Sequence, residues 1–433
     1  MARSTNPPEP TDRSLVQRMP FFYGWVILGV GLGGMIMTSP GQTYSVSIFL
    51  EPIIADLGIS RSLVSSLYTG ATLVGSLALP LVGRLIDRRG PRFVMTGVGL
   101  IFGLACVFMG LVQNVVMLAF GFVAIRMFGQ GSLMLVSQNL INRWWIDRRG
   151  LVMGVAGMAM SLVGVGGFPN LIHALVGAFD WHVAYVALGG LVLVVMLPLG
   201  GILARDRPED HGLQPDGRAS DTAGGTDGGD EAHDEPSVRE VNWTLDEAIR
   251  TPVFWLVALG VASKAMLSTG LFFHMVSIFA DNGLTADAAA AVFLPIAVTT
   301  AVVNLSSGVL ADYVPPRFLL ATALAGQTAA LLLATNLTSF GVALVYGGVL
   351  GLTDGLTRTV NSVIWASYFG RLHLGSITGI TTTVVIVGSA LGPMPFGIAR
   401  DVLGSYETVL AISAVIPFAL GVANLGFKKP TKP

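Results

Sequence analysis

Ionisable side chains interrupt long apolar runs at five places in this sequence. Arg126, Lys264 and Arg358 are cations, Asp354 is the one comparably deep acid, and His274 stands in the aromatic stretch Phe272-Phe273-His274-Met275. Asp354 and Arg358 are four residues apart and share a helix face, which fits either a local ion pair that neutralises both or a switch. In the switch, an incoming carboxylate competes for Arg358 and the displaced Asp354 takes up a proton. Arg126 has no acid within a turn. Its planar fork suits a carboxylate, and it could equally satisfy backbone carbonyls of a neighbouring helix. Lys264 reads as a second anion contact or as a buried amine, and His274 as a proton relay or a packed core ring. Gln42, Tyr44, Gln130, Asn139 and Asn361 could hydrogen-bond a polar ligand or bridge helices.

The elements that must position these groups follow from composition. Charged residues make up 12% of the chain and apolar residues 52%, with a mean hydropathy of +0.70. Soluble proteins carry about 25% charged residues, so water has too little polar surface to cover here. The apolar residues fall into segments near 22–49, 61–83, 93–112, 116–138, 149–172 and 183–204, then 252–280, 288–311, 318–336, 339–362, 374–399 and 407–427. Each supplies the roughly 20 residues that carry a helix across ~30 Å of hydrocarbon. The expected fold is therefore an all-α polytopic membrane protein with twelve transmembrane helices in two pseudo-symmetric six-helix bundles. The run Ser39-Pro40-Gly41 should interrupt the first span and free backbone groups to line a cavity.

Twenty of the 25 Lys and Arg residues fall on one side if both termini face the cytoplasm. That bias orients the protein in a cell (inner or plasma) membrane with cytoplasmic ends. Residues 1–20 read as an N-terminal tail, 21–204 and 250–427 as the two bundles, 205–249 as a cytoplasmic linker and 428–433 as a C-terminal tail. The linker contains a Gly-, Asp- and Glu-rich run from Asp221 to Asp234 and reads as a flexible tether.

Within bundles so placed, an ionisable group costs at least about 2.5–3.5 kcal/mol, so each needs a partner or a task. Three deep cations against one deep acid leave a net positive interior with His neutral. The expected partners are a small organic anion, a proton or counter-anion, and the bilayer. A net charge of −1 gives no footing for nucleic acid. The single cysteine, Cys106, and the scattered histidines lack metal-ligand spacing, no Walker-type phosphate loop is present, and no enzyme activity or cofactor is expected.

One offset recurs along the chain. Gly83, Asp87 and Arg92 return as Gly308, Asp312 and Arg317, Gly150 and Gly154 as Gly375 and Gly379, and Gly167 as Gly392, each 225 residues later. A constant offset implies duplication of a six-span unit, with a site between the copies exposed alternately to each side.

The stretch Gly83-Arg-Leu-Ile-Asp87-Arg88-Arg-Gly90-Pro-Arg92 resembles the loop signature of the major facilitator superfamily. Tyr23-Gly24-Trp25-Val26 and Trp144-Trp145-Ile-Asp-Arg148-Arg149-Gly150-Leu-Val-Met-Gly154 are similar to the opening of spans 1 and 5 in its monocarboxylate transporter and oxalate/formate antiporter group. The resemblance covers roughly residues 20–427 and implies secondary transport of small carboxylates, often with a proton or by exchange. Monocarboxylate carriers of animal type place a Lys in span 1 and an Asp/Arg pair in span 8. Here span 1 has no Lys and no Asp or Arg lies between Ala288 and Leu310, so that anion site does not carry over. Oxalate-type exchangers use cations in spans 8 and 11, and these too are missing.

The resemblance also assigns Asp87, Arg88 and Arg92, and their copies Asp312 and Arg317, to gating on the cytoplasmic side; Arg148 and Arg149 are suitably placed partners for Asp87, and the same charges could serve orientation in the membrane alone. The second copy has Tyr313 for the Arg and Pro315-Pro316 around the Gly position, which predicts a weaker clamp. Two other functions fit a bundle of this kind: an efflux carrier for drug-like molecules, and a membrane sensor that binds ligand without moving it.

Overall fold

The structure, a computed structural model, describes residues 16, 19–217, 243–370, 372–430 and 432; for 305, 307–312 and 375 it describes backbone only. Twelve helices among the described residues are long and apolar enough to cross a bilayer. They are α1 (Gly24–Leu57), α2 (Arg61–Arg89), α3 (Pro91–Met109), α4 (Val115–Trp144), α5 (Arg149–Ala178), α6 (Trp181–Leu203), α7 (Pro252–Phe273), α8 (Ala286–Tyr313), α9 (Pro316–Ala334), α10 (Phe340–Phe369), α11 (Ser376–Leu403) and α12 (Glu407–Gly426). Large apolar side chains such as Leu77, Phe120, Val194 and Val402 are exposed, as a lipid-facing surface requires. Twelve crossings bring the start of α1 and the end of α12 to one face, called here the termini side.

On the far side, helix starts are held by side-chain caps. Ser60, Asn114, Asp180 and Ser339 each accept from a backbone N–H three residues on, at the heads of α2, α4, α6 and α10. The expected break in α1 is present as a 3-10 turn at Ser39–Gly41. The helix then continues past Pro52 to Leu57, beyond the expected end, because neighbouring spans can absorb a proline's missing bond. Gly58 and Gly283, 225 residues apart, both turn the chain with positive φ, 59° and 77°. This adds a backbone marker to the repeat, since such a φ favours glycine.

The two halves meet on the far side. There α2 runs against α11, α5 against α8, and α1 against α7. A Cβ on Gly397 of α11 would stand 2.5 Å from Ser65 Oγ of α2, and one on Gly166 of α5 would stand 3.0 Å from Ala297 Cβ of α8. Asp401 accepts from the Ser62 N–H at the head of α2 (2.7 Å), and His173 Nε2 lies 2.6 Å from Asp287 Oδ1. One apolar core runs through the first half and into the far-side ends of α7, α8, α9 and α10. A separate core of Phe254, Leu320, Val360, Trp365 and Phe369 fills the termini side of the second half. The halves are thus pressed together on the far side and stand as distinct bodies on the termini side.

Both described ends of the linker are packed, where the sequence reads as a loose tether. Asp206 accepts from the Arg92 N–H at the head of α3, and Asp216 accepts from the backbone N–H groups of Ile146, Asp147 and Arg148 ahead of α5. The acids take the orphan donors and positive ends of two helices, which a low-complexity reading does not reveal. Trp243 donates its N–H to Phe369 O, and a short helix, Leu245–Ile249, follows under a capping box. Lys432 of the C-terminal tail pairs with Glu247 at 2.8 Å. That ammonium, followed by the Thr244 N–H, holds the Glu247 carboxyl down to about 2. The acidic run Asp221 to Asp234 lies outside the described residues.

Candidate transport site

Arg126 sits where α4 widens into a π-helical stretch, Ile125–Leu133. Such insertions re-aim side chains and recur at functional sites. Its Nε donates to Thr72 Oγ1 (2.9 Å) and its Nη1 to Gly41 O (3.2 Å), and the guanidinium lies 4.6 Å from the centre of the Tyr68 ring. The Gly41 carbonyl belongs to the broken turn of α1, and a Cβ there would stand 2.5 Å from Ile125 O. Glycine at this position therefore lets α1 and α4 touch. Arg126 is 3% exposed and forms no ion pair among the described residues.

Arg126 also lines a cavity of about 380 Å³ between the halves, with Thr72, Ser76, Gln130, Gln138, Thr382 and Ile386 among its walls. Gln130 has a buried amide oxygen with no partner. An amide carries both donors and an acceptor, and Gln130 forms part of the cavity wall. Gln138, Thr72 and Thr382 were not singled out by the sequence; a glutamine in an apolar run was the available signal for the first. Asn139 does not line the cavity.

In the second half, Asp354 pairs with Lys264 of α7. It reaches across to the facing helix rather than along its own to Arg358, four residues on. Arg358 is exposed and forms no hydrogen bond or ion pair among the described residues. It stands within Coulombic reach of Lys264 and of Tyr44 on α1, so it lies on the face of α10 turned toward the other half. Tyr44 OH bonds Ser39 Oγ (3.0 Å), and Gln42 Nε2 donates to Thr38 Oγ1 (3.1 Å). Both bonds brace the α1 break. The break therefore touches Arg126 through Gly41 and approaches Arg358 through Tyr44. Asn361 accepts from Trp365 Nε1 at 3.0 Å, a bond within α10.

His274 is apart from this constellation. It is fully buried at the far-side contact, with Nε2 2.9 Å from Pro393 O and Nδ1 3.0 Å from Tyr406 OH. Ser65 of the first half lies 3.5 Å from the same Nε2.

Among the expected gate residues, Asp87 meets Arg143 at 3.6 Å rather than Arg148 or Arg149. Arg149 donates to the carbonyls of Trp145 and Asn142, and Arg148 meets Asp216 through its backbone N–H. These loop arginines are held by the turn before α5. Arg88 is exposed. Arg92 donates to Gly201 O and Arg317 to Phe427 O, each joining the third helix of its half to the end of the sixth. The side chain of Asp312 lies outside those described.

The sequence matches the Major Facilitator Superfamily over residues 30–393. It is similar to "Monocarboxylate transporter 1" of Mus musculus, 25% identical over 417 residues covering 92% of this chain and 83% of that protein. It is also similar to "Oxalate:formate antiporter" of Oxalobacter formigenes, 25% identical over 233 residues, 54% of this chain and 50% of that protein. The fold is that of a bacterial homolog of the human lysosomal transporter Spinster solved inward-facing and unoccupied, with a TM-score of 0.63 at 19% identity over 93% of this chain and 95% of that one. By its sequence match and its twelve spans, the chain belongs to the Major Facilitator Superfamily, as a multi-pass secondary transporter of the lipid bilayer.

Proposed function

We propose that this chain carries a small organic anion of monocarboxylate type by alternating access, with a proton or in exchange for a second anion. One observation carries the reading. The deep acid Asp354 is spent on Lys264, which leaves Arg126 and Arg358, one from each half, without a carboxylate partner among the described residues. The buried guanidinium of Arg126 and the open one of Arg358 each suit a carboxylate that offers paired oxygens. Similarity to proteins named for monocarboxylate and for oxalate and formate supports the same class.

The proposed orientation places both termini in the cytoplasm of a cell membrane, so the cavity faces inward and the far-side contacts form the outer gate. Cargo engages Arg358 and Arg126 with help from Gln130, across the α1 break braced by Gln42 and Tyr44. Protonation of Asp354 releases Lys264, which adds a third cation to the site as the anion arrives. Deprotonation restores the pair and weakens the hold on cargo. Anion and proton then move together. Asn361 positions Trp365, and His274 acts in gate closure rather than in proton relay. Asp87 with Arg143, and Arg92 and Arg317 with the ends of α6 and α12, set the geometry of the termini-side loops, while Arg88, Arg148, Arg149 and Asp312 are gating candidates on the same face.

Uptake of labelled lactate, pyruvate and formate into proteoliposomes, with and without an inward pH gradient, tests this against a cationic dye. Gradient-stimulated uptake of a carboxylate is expected. Movement of the dye alone contradicts it.

A further inference from the structure

The repeat exposes a difference between the halves on the termini side. In the first half, Arg92 at the head of α3 donates to Gly201 O near the end of α6, and the Asp206 carboxylate accepts from the Arg92 N–H. The chain thus supplies its own anion to that helix head. In the second half, Arg317 at the head of α9 likewise donates to Phe427 O just past α12. The position 225 residues after Asp206 is Thr431, within the run Lys428-Lys429-Pro430-Thr431-Lys432.

The space beside it is a hollow of about 470 Å³ lined by Arg317, Lys428, Lys429, Tyr313, Ser367 and Tyr368 among others, with three cations and no acid among the described residues of its walls. Arg317 is half-buried beside it, its guanidinium 4.7 Å from the centre of the Phe318 ring. Guanidinium and ammonium groups gathered in one wall favour an oxyanion, which accepts charge-assisted hydrogen bonds from them. The positive dipole end of α9 adds to this field, while Pro315 and Pro316 carry no N–H and the Phe318 N–H bonds Pro315 O, so the side chains supply the donors.

We infer that this hollow binds a phosphate group, that of an anionic phospholipid headgroup. The location favours a lipid over free phosphate. Arg317, Lys428 and Lys429 sit at the ends of α9 and α12, where hydrocarbon gives way to headgroups. Tyr313, Phe318 and Phe427 stand exposed beside them at 81%, 40% and 41%, as interfacial aromatics do. Basic pockets at such ends recognise anionic headgroups. The site is independent of whatever cargo the central cavity takes. It also ties the ends of α9 and α12 together through a bound lipid where the first half uses Asp206.

The full-length protein in detergent tests this by thermal unfolding with added phosphatidylglycerol, phosphatidylcholine or inorganic phosphate. Wild type is compared with Lys428→Gln/Lys429→Gln and with Arg317→Gln. Phosphatidylglycerol should raise the Tm where phosphatidylcholine does not, and its apparent affinity should fall about thirty-fold in the double lysine variant, two headgroup contacts being removed. If Arg317→Gln does not fold, the lysine variant decides alone. Stabilisation by inorganic phosphate without lipid, lost in the same variant, upholds the phosphate site and makes free phosphate its source. Equal stabilisation of wild type and the lysine variant overturns the inference, as does phosphatidylglycerol acting no better than phosphatidylcholine with inorganic phosphate inert.

Discussion

Lys264 of α7 and Asp354 of α10 are ion-paired across the second half, with side chains 8% and 17% exposed. The pair cancels the one deep acid against one of three deep cations, and that cancellation gives the remaining arginines their meaning. Removing either partner leaves an uncompensated charge at depth, so Lys264→Ala and Asp354→Ala should each cost about 3–5 kcal/mol. The double variant should recover most of that loss. Thermal unfolding of the four proteins in one detergent checks it; additive losses in the double variant exclude the pairing.

Arg126 and Arg358 should differ in how they fail. Arg126 has bonds to Thr72 and Gly41 as well as a cavity face, whereas Arg358 has no such bonds. Arg358→Gln should therefore raise the KM for anion uptake about ten-fold or more, a loss of roughly 1.4 kcal/mol, with little change in Tm. Arg126→Gln should lower both affinity and Tm. Equal Tm losses in the two variants would show that Arg358 is structural.

Gly397 should report on the far-side gate. A Cβ there would stand 2.5 Å from Ser65 Oγ, tighter than side chains tolerate, so Gly397→Val should push α11 from α2 and favour opening on that face. Ser45 of α1 is fully buried and serves as a reporter. In a Ser45→Cys, Cys106→Ser background, a membrane-impermeant thiol reagent added from the far side should label the Gly397→Val protein faster by about ten-fold, a population shift of ~1.4 kcal/mol. Unchanged labelling would remove the α2–α11 contact from the gate.

The tie between the C-terminal tail and the Leu245–Ile249 helix should survive mild acid. Glu247 is held down to about 2 in the folded protein, below the ~4.3 of a free glutamate. A depressed carboxyl stabilises above the unfolded value and loses that contribution as pH falls through the folded one. Hydrogen exchange at 243–249, corrected for intrinsic rate, should hold steady from neutral pH to about pH 4 and rise below it. Glu247→Gln should raise it at neutral pH.

The spans and the repeat were legible because they are one-dimensional signals: apolar length, the placement of Lys and Arg, and a fixed offset. The α1 break was legible because Pro40 and Gly41 announce it. The ion pair was not. Asp354 stands 90 residues from Lys264 and four from Arg358, and spacing along one helix favours the nearer cation. Helix packing decides otherwise, as it does for Asp87, which meets Arg143 rather than the later arginines. The π-helical stretch that aims Arg126 has no composition signal, and His274 reads the same in sequence whether it faces a cavity or a gate. Asp206 and Asp216 look like linker acids until the helix heads they cap are in view.

The central claim is that two arginines without carboxylate partners, one from each half, hold an anionic cargo. Counterflow of labelled pyruvate in proteoliposomes tests it most directly, because exchange needs binding and translocation but no driving force. Wild type should exchange, and Arg126→Gln/Arg358→Gln, reconstituted at equal density, should fall to the level of empty liposomes. Exchange at the wild-type rate in the double variant would contradict the account.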